Sequence, residues 1–269
     1  MEFIWYYLKI ALYPVAAILV CGFIVWACLH LFIKLLGRSG YKAVLAASLI
    51  GTPIHELGHA FMCLLFGHKI VKLVLWQPRS TDGTTGYVQH TYNSHNLYQR
   101  LGRLFIGTGP IFSGMAVLCL LLTVAFPDTW SSYVSSVRLL VENHASVQNL
   151  VSTGLDIVSN MITEFRSDSI SVWVRLPLVL VMLSVSLHIN LSPSDIKESV
   201  DAVPLYLLLM LLVAGITYLP GAAVSGLVLS TLETFNAFMM AMFTVVLVFA
   251  VTQAVLALLL RLALALVGR

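Results

Sequence analysis

The chain contains His55-Glu56-Leu57-Gly58-His59 in the middle of an apolar stretch, and prediction of its fold starts from these five residues. On a helix, positions four apart lie one above the other, so His55 and His59 present two imidazoles to one point while Glu56 sits beside it. This spacing is typical of helices that bind zinc. The pattern therefore predicts a helix that carries a metal site.

The composition places that helix in a membrane. Hydrophobic residues make up 59% of the 269 residues, charged residues only 10%, and the mean hydropathy is +0.93, far outside the range of soluble domains. The formal net charge of +3 is small, and no basic run is present. These values predict a multi-pass membrane protein whose surroundings are a lipid bilayer, and they exclude nucleic acid as a partner.

Six apolar runs approach or exceed the roughly 20 residues that cross a bilayer as a helix. They lie at residues 10–36, 43–66, 104–126, 172–191, 202–219 and 237–266. The sequence therefore predicts an all-α integral membrane protein with about six transmembrane helices, forming one polytopic domain over residues 1–269. Its site-bearing core is expected at residues 43–201, with accessory helices at residues 1–36 and 202–269.

Residues 68–92, between the second and third runs, have a different pattern. Val71, Leu73 and Leu75 alternate with other residues, and Thr81-Asp82-Gly83 supplies turn chemistry. This predicts a small membrane-associated β-hairpin after the second helix. An extended peptide can pair with the open edge of such a hairpin, although a plain surface hairpin remains the alternative.

Residues 127–171 form the one sizeable polar insertion, and they contain an apolar repeat at helical spacing. The repeat consists of Val147, Val151, Leu155, Val158, Ile162 and Phe165. An amphipathic helix is predicted there. It is expected to lie on the membrane surface, to cover the site as a lid, or to serve as a packed connector.

The distribution of Lys and Arg between the two sides of the membrane predicts the orientation of the protein in it. Six spans put both termini on one side, and nine of the 15 Lys and Arg residues fall there, against six on the other side. This favours cytoplasmic termini in a bacterial cytoplasmic membrane and places the insertion at residues 127–171 outside the cytoplasm.

A catalytic zinc ion usually has three protein ligands, so the two histidines need a third. Asp195 is the predicted ligand, because Asn190 and Pro193 interrupt the fourth run just before it, and irregular backbone at membrane depth is tolerated only where it faces protein or a cavity. The other groups near this break that can ligate a metal are Glu198, Asp201 and His188.

The remaining polar residues of the site suggest roles in hydrolysis. A zinc-bound water deprotonates near neutral pH, and Glu56 is placed to take its proton as a general base. Asn190 or Lys197 is a candidate to bind the substrate backbone or a developing oxyanion. Their alternative roles are a helix-end cap for Asn190 and a membrane-interface side chain for Lys197.

The chain resembles the site-2 protease family of intramembrane zinc metalloproteases in three features. The His55–His59 helix stands in an early span, Gly109-Pro110 in the next, and Asn190 to Pro193 form an N-x-x-P followed by an acid. In order, these matches cover most of residues 43–201.

The resemblance implies a core of three helices, a sheet after the first of them and cleavage of membrane-spanning substrates. Carried over to this sequence, His55, His59 and Asp195 would bind Zn²⁺ and Glu56 would be the base. The family aspartate stands further beyond the proline than Asp195 does, and counting without a gap reaches Glu198 instead.

Two other functions remain open from the sequence. One is a non-catalytic membrane scaffold or transporter-associated subunit that keeps the fold without the zinc chemistry. The other is a different membrane zinc enzyme, which would require a glutamate ligand from a later helix. The leading prediction is a protease whose substrate is a transmembrane protein or peptide.

Overall fold

A computed structural model describes residues 1–77, 84–143, 145–167 and 170–266 as a helical bundle with one small sheet. Within these residues the helices are α1 (Glu2–Leu36), α2 (Arg38–Leu65), α3 (Leu97–Ala125), α4 (Pro127–Glu142), α5 (Val147–Phe165), α6 (Val172–Ser186), α7 (Pro193–Tyr218) and α8 (Ala222–Leu266). The strands β1 (Lys69–Val74) and β2 (Tyr87–Thr91) pair antiparallel, with an irregularity between Ile70 and Lys72. The prediction of a helical chain with a small sheet after the second helix is confirmed. The predicted turn at Thr81-Asp82-Gly83 lies outside the described residues.

Among the residues that the structure describes, four helices are long and apolar enough to cross a membrane by length and composition: α1, α3, α7 and α8. The count of six is not confirmed. Helix α2 has the length, but His55, Glu56 and His59 lower its hydropathy, and α6 has only 15 residues.

Helices α6 and α7 run in the same direction along α3. Near the start of α6, Arg175 Nε donates to the carbonyl oxygen of Ala125 at the end of α3 (3.0 Å). Further on, Ser199 Oγ of α7 donates to the carbonyl oxygen of Leu104, near the start of α3 (3.3 Å). From residue 175 to residue 199, the contacted residue of α3 changes from 125 back to 104. Helices α6 and α7 therefore form one interrupted path that runs antiparallel to α3.

The start of α1 and the end of α8 lie at opposite ends of the bundle. Phe3 and Tyr218 are in ring contact at 5.3 Å, so α7 ends beside the start of α1. Helix α8 then runs parallel to α1, with Tyr13 Oη 3.3 Å from a Glu233 carboxylate oxygen and Cys21 facing Met240 further along.

Glycine lets the helix that carries the metal-site motif approach its neighbour closely. A Cβ atom on Gly58 of α2 would lie 2.8 Å from the carbonyl group of Gly109 on α3, so the two backbones are in contact. Ser113 Oγ of α3 also donates to the carbonyl oxygen of Ile54 (2.9 Å). Small residues at helix contacts permit this approach, and it brings α3 next to His59.

The insertion forms two helices, α4 and α5, which pack on each other and on α8. The predicted amphipathic helix is confirmed as α5. Its buried face includes Ile157, whereas the apolar repeat largely faces outward, with Val147 76%, Val151 57% and Leu155 66% exposed. None of the described residues of the insertion lines the cavity of the metal site, so these contacts do not support a lid.

Candidate metal centre

Backbone carbonyl groups fix the orientation of both histidines of α2. His55 Nδ1 lies 2.8 Å from the carbonyl oxygen of His188, and His59 Nδ1 lies 2.7 Å from that of Ile106. A carbonyl oxygen only accepts, so each Nδ1 must carry the hydrogen. In the neutral rings, both Nε2 atoms therefore present lone pairs to the same point, which is the state in which histidine binds a metal.

Asp195 completes the group of ligand atoms. The Nε2 atoms of His55 and His59 are 3.2 Å apart, and they lie 3.5 Å and 3.2 Å from the two carboxylate oxygens of Asp195. Ligands about 2.0–2.1 Å from a tetrahedral zinc ion are separated by about 3.3–3.4 Å. These distances therefore suit zinc, and a bound cation would remove the repulsion between two bare nitrogens.

The start of α7 holds Asp195 in place. Asp195 Oδ2 accepts from the backbone N–H of Ser192 (2.7 Å), while Ser192 Oγ accepts from the backbone N–H of Asp195 (3.3 Å). Together they form a capping box, with Pro193 as the first helical residue. The helix break that suggested Asp195 from the sequence thus also fixes the orientation of its carboxylate.

The alternative ligands have other partners. The ring of His188 bonds through Nδ1 to the carbonyl oxygen of Ser184 (3.0 Å). Glu198 faces His90 at 3.2 Å, and Asp201 pairs with Arg103 at 2.7 Å. None of the three alternatives belongs to the group of converging ligand atoms found among the described residues.

Glu56 and the three ligands line one cavity of about 560 Å³. Glu56 is buried, at 6% exposure. The segment that leads into β2 crosses the cavity beside it, because a Cβ atom on Gly86 would lie 2.9 Å from Glu56 Cγ, and Thr85 Oγ1 lies 3.0 Å from Thr52 Oγ1. The sequence prediction missed this approach, although a glycine next to a strand signals close contact between backbone and neighbour.

Asn190 and Lys197, the two residues suggested for binding substrate, differ in location. Asn190 lines the metal cavity and also an adjacent apolar cavity of about 620 Å³ between α1, α3 and α7. Lys197 does not line the metal cavity and lies in an open surface depression with Glu198 and Asp201. Of the two residues, only Asn190 therefore borders the cavity that the candidate metal ligands line.

Comparison of the chain with protein-family models, curated proteins and solved structures gives no match.

Proposed function

We propose that this chain is an intramembrane zinc metalloprotease, similar to the site-2 proteases, that hydrolyses a peptide bond in or near a transmembrane segment. The observation that carries the proposal is the convergence of His55, His59 and Asp195 at tetrahedral spacing in one cavity with Glu56. A scaffold that had lost the chemistry would not need both Nδ1 atoms fixed and a buried carboxylate beside the site.

Each residue has a defined role in this reaction. Zinc held by His55, His59 and Asp195 would keep a fourth position for water and lower the pKa of that water towards neutrality. Glu56 accepts the water proton and returns it to the leaving amine. Asn190 orients the substrate backbone by hydrogen bonding.

The substrate is proposed to reach the site as an extended strand. One edge of β2 is taken by β1, and β2 residues, not those of β1, line the metal cavity. A peptide unwound from a transmembrane helix would pair with the free edge of β2 through main-chain hydrogen bonds. The adjacent apolar cavity, which shares Asn190, would receive an apolar side chain of that peptide.

In this proposal five segments cross the bilayer: α1, α2, α3, the interrupted path of α6 and α7, and α8. The interruption between α6 and α7 lies at the metal cavity. This agrees with the rule that non-helical backbone at membrane depth is tolerated when it faces protein or a cavity.

Metal content is the first test. We expect one zinc ion per chain in detergent-purified wild type by elemental mass spectrometry, and its loss in His59→Ala and Asp195→Ala. Glu198→Ala is the matched control and should keep zinc, because Glu198 pairs with His90 instead. Absence of zinc from the wild type under metal-replete conditions would favour the non-catalytic scaffold.

Cleavage is the second test. Wild type and Glu56→Gln would be expressed in a bacterial membrane, and new protein N-termini would be compared by mass spectrometry. We expect N-termini within or next to membrane segments in the wild type only, with zinc retained in Glu56→Gln. The same N-termini in both cultures would refute the role of Glu56.

A further inference from the structure

A chain of hydrogen bonds beside the metal cavity joins the hairpin to α7. His68 Nε2 lies 2.8 Å from the carbonyl oxygen of Gln99, and His68 Nδ1 lies 3.0 Å from His90 Nδ1. His90 Nε2, on strand β2, lies 3.2 Å from a carboxylate oxygen of Glu198. His68 is buried at 3% exposure, and His90 and Glu198 are partly buried.

The hydrogen-bond network of His68, His90 and Glu198 needs one proton more than two neutral imidazoles and a carboxylate hold. The carbonyl oxygen of Gln99 only accepts, so His68 carries its hydrogen on Nε2, and the carboxylate of Glu198 takes a hydrogen from His90 Nε2. Two neutral imidazoles would then face each other with bare Nδ1 atoms 3.0 Å apart. A third proton between the two rings turns this repulsion into a hydrogen bond.

A proton suits the space between the two Nδ1 atoms better than a metal ion does. Only two lone pairs converge, because Glu198 lies at the opposite nitrogen of His90. Within the described residues, the one group of side chains close enough to share a metal is the one at His55, His59 and Asp195.

The surroundings determine which group carries the charge. Arg103 of α3 lies 3.5 Å from Glu198 and 2.7 Å from Asp201, which favours a charged carboxylate on Glu198. Tyr92 stacks on His68 at 5.0 Å. The charged and titratable groups around the pair are Glu198, Arg103, Asp201 and Tyr92, and Cys63 and His59 of α2 interact electrostatically with Glu198.

Burial, reinforced by the nearby His90, lowers the pKa of His68. This ring therefore stays neutral and accepts through Nδ1, and the extra proton belongs to His90.

We propose that His90 is a positioning residue whose imidazolium form, donating to His68 and to Glu198, holds β2 across the metal cavity. When the shared proton leaves for solvent, the facing lone pairs push the rings apart and the strand is released. At one end of β2, Gly86 lies against Glu56. At the other end, His90 pairs with Glu198, which lies one turn after Asp195 on α7. The strand is therefore attached to the site at both of its ends. Holding of the strand does not depend on the metal, whereas any effect on cleavage rests on the proposed function.

The sign of the pH dependence follows from the proton count. While both imidazoles of the released hairpin are neutral, the closed hairpin holds one proton more than the released hairpin, so in that range rising pH disfavours the closed form. The closed form is lost when the shared proton leaves and the two Nδ1 lone pairs face each other.

Hydrogen exchange of the backbone amides tests this proposal. Exchange of residues 84–92 would be followed by mass spectrometry from about pH 6.5 to 8.5, where free imidazoles are mostly neutral, after correction for the intrinsic pH dependence of exchange. We expect wild type to show a step to about tenfold faster exchange at the alkaline end. His95→Gln, a change at an exposed histidine near β2, should keep the step, and His90→Gln should abolish it because the glutamine amide has no proton to lose.

A corrected exchange profile that is flat in the wild type, or a step that persists in His90→Gln, would overturn the proposal. Should His90→Gln not fold, nitrogen NMR of histidine-labelled wild type near neutral pH decides the question. We expect one of the two rings, His68 or His90, to be an imidazolium, and the signals are assigned by comparison with His68→Gln. Two neutral rings beside a charged Glu198 would contradict the proposal. The exchange assay contains no substrate, so its failure is separate from a negative zinc result.

Discussion

Asp195 takes part in two arrangements at once, because its carboxylate belongs to a capping box and also faces both histidines. The first arrangement supports the second. Hydrogen bonds that orient a ligand are generally worth a factor of about 10–100 in metal affinity. Loss of the cap should therefore weaken zinc binding without removing any ligand.

Ser192→Ala removes the oxygen that caps the backbone N–H of Asp195. We expect unfolding to become about 1 kcal/mol easier. Zinc affinity, measured by competition with a chelator, should fall, because loss of the cap loosens the backbone N–H of residue 192 that orients the Asp195 carboxylate. Ser146→Ala is the matched control, since Ser146 caps α5 in the same way. It should cost similar stability and leave zinc affinity unchanged, and equal losses of zinc affinity in both variants would refute the link.

Gly58→Ala tests the contact between α2 and α3. The added Cβ would lie 2.8 Å from the backbone of Gly109 and 2.4 Å from Ser113 Oγ, so α2 must move. We expect a loss of about 1–3 kcal/mol in the free energy of unfolding, measured in detergent, together with weaker zinc binding. Gly215→Ala has open space around its Cβ and should be neutral or stabilising by up to about 1 kcal/mol. A neutral Gly58→Ala would show that the helices are not in backbone contact.

At the scale of elements, a buried ion pair joins the ends of four helices. Glu164 of α5 accepts from the backbone N–H and the hydroxyl of Thr129 at the start of α4 (2.9 and 2.8 Å). Arg175 of α6 is fully buried, with Nη2 3.6 Å from the Glu164 carboxylate, and Arg175 also bonds to the end of α3. This pair therefore fixes how the insertion joins the bundle.

Arg175→Met should destabilise the protein by about 3–5 kcal/mol, because removing one partner leaves a buried carboxylate without its counter-charge. Arg138→Met is the control within the same insertion. Its partner Glu142 is 3.9 Å away and both side chains are mostly exposed, so we expect no measurable change. Chemical denaturation in detergent checks both values, and equal stability of the two variants would contradict the role of the buried pair.

At the scale of the whole molecule, the shared direction of α6 and α7 is the basis for the five proposed crossings. Because the two helices form one interrupted path, the five proposed crossings put the chain termini on opposite sides of the membrane. The C-terminal Arg261 and Arg269 then change sides, and the balance of Lys and Arg changes from nine against six to seven against eight. The charge bias that favoured cytoplasmic termini is thereby lost.

Reporter fusions test this topology. An alkaline phosphatase and a green fluorescent protein fused in turn to each terminus should report opposite sides. A fusion in the loop at residues 219–221 is the control, and it should report the same side as the N-terminus because α7 ends beside α1. Both termini on one side would restore the six-span topology.

Much of the fold follows from local pattern. Apolar runs predicted the helices because a chain in hydrocarbon must satisfy its own hydrogen bonds, and alternation after the second run predicted β1 and β2. The spacing of His55 and His59 predicted their shared direction, and the helix break predicted Asp195 nearby. Hydropathy could not show that α6 continues into α7, because it carries no information on direction.

The sequence by itself determined most of the helices, the small sheet and the shared direction of His55 and His59, and it favoured Asp195 as the third group, because helix periodicity and breaks are local properties of the chain. The tertiary structure alone decided that β2 and not β1 borders the metal cavity, that Glu198 pairs with His90 instead of joining the site, and that two histidines share a hydrogen bond. These contacts join residues that are 22 and 108 positions apart in the chain. Their distances depend on how helices pack against one another, which no local pattern encodes.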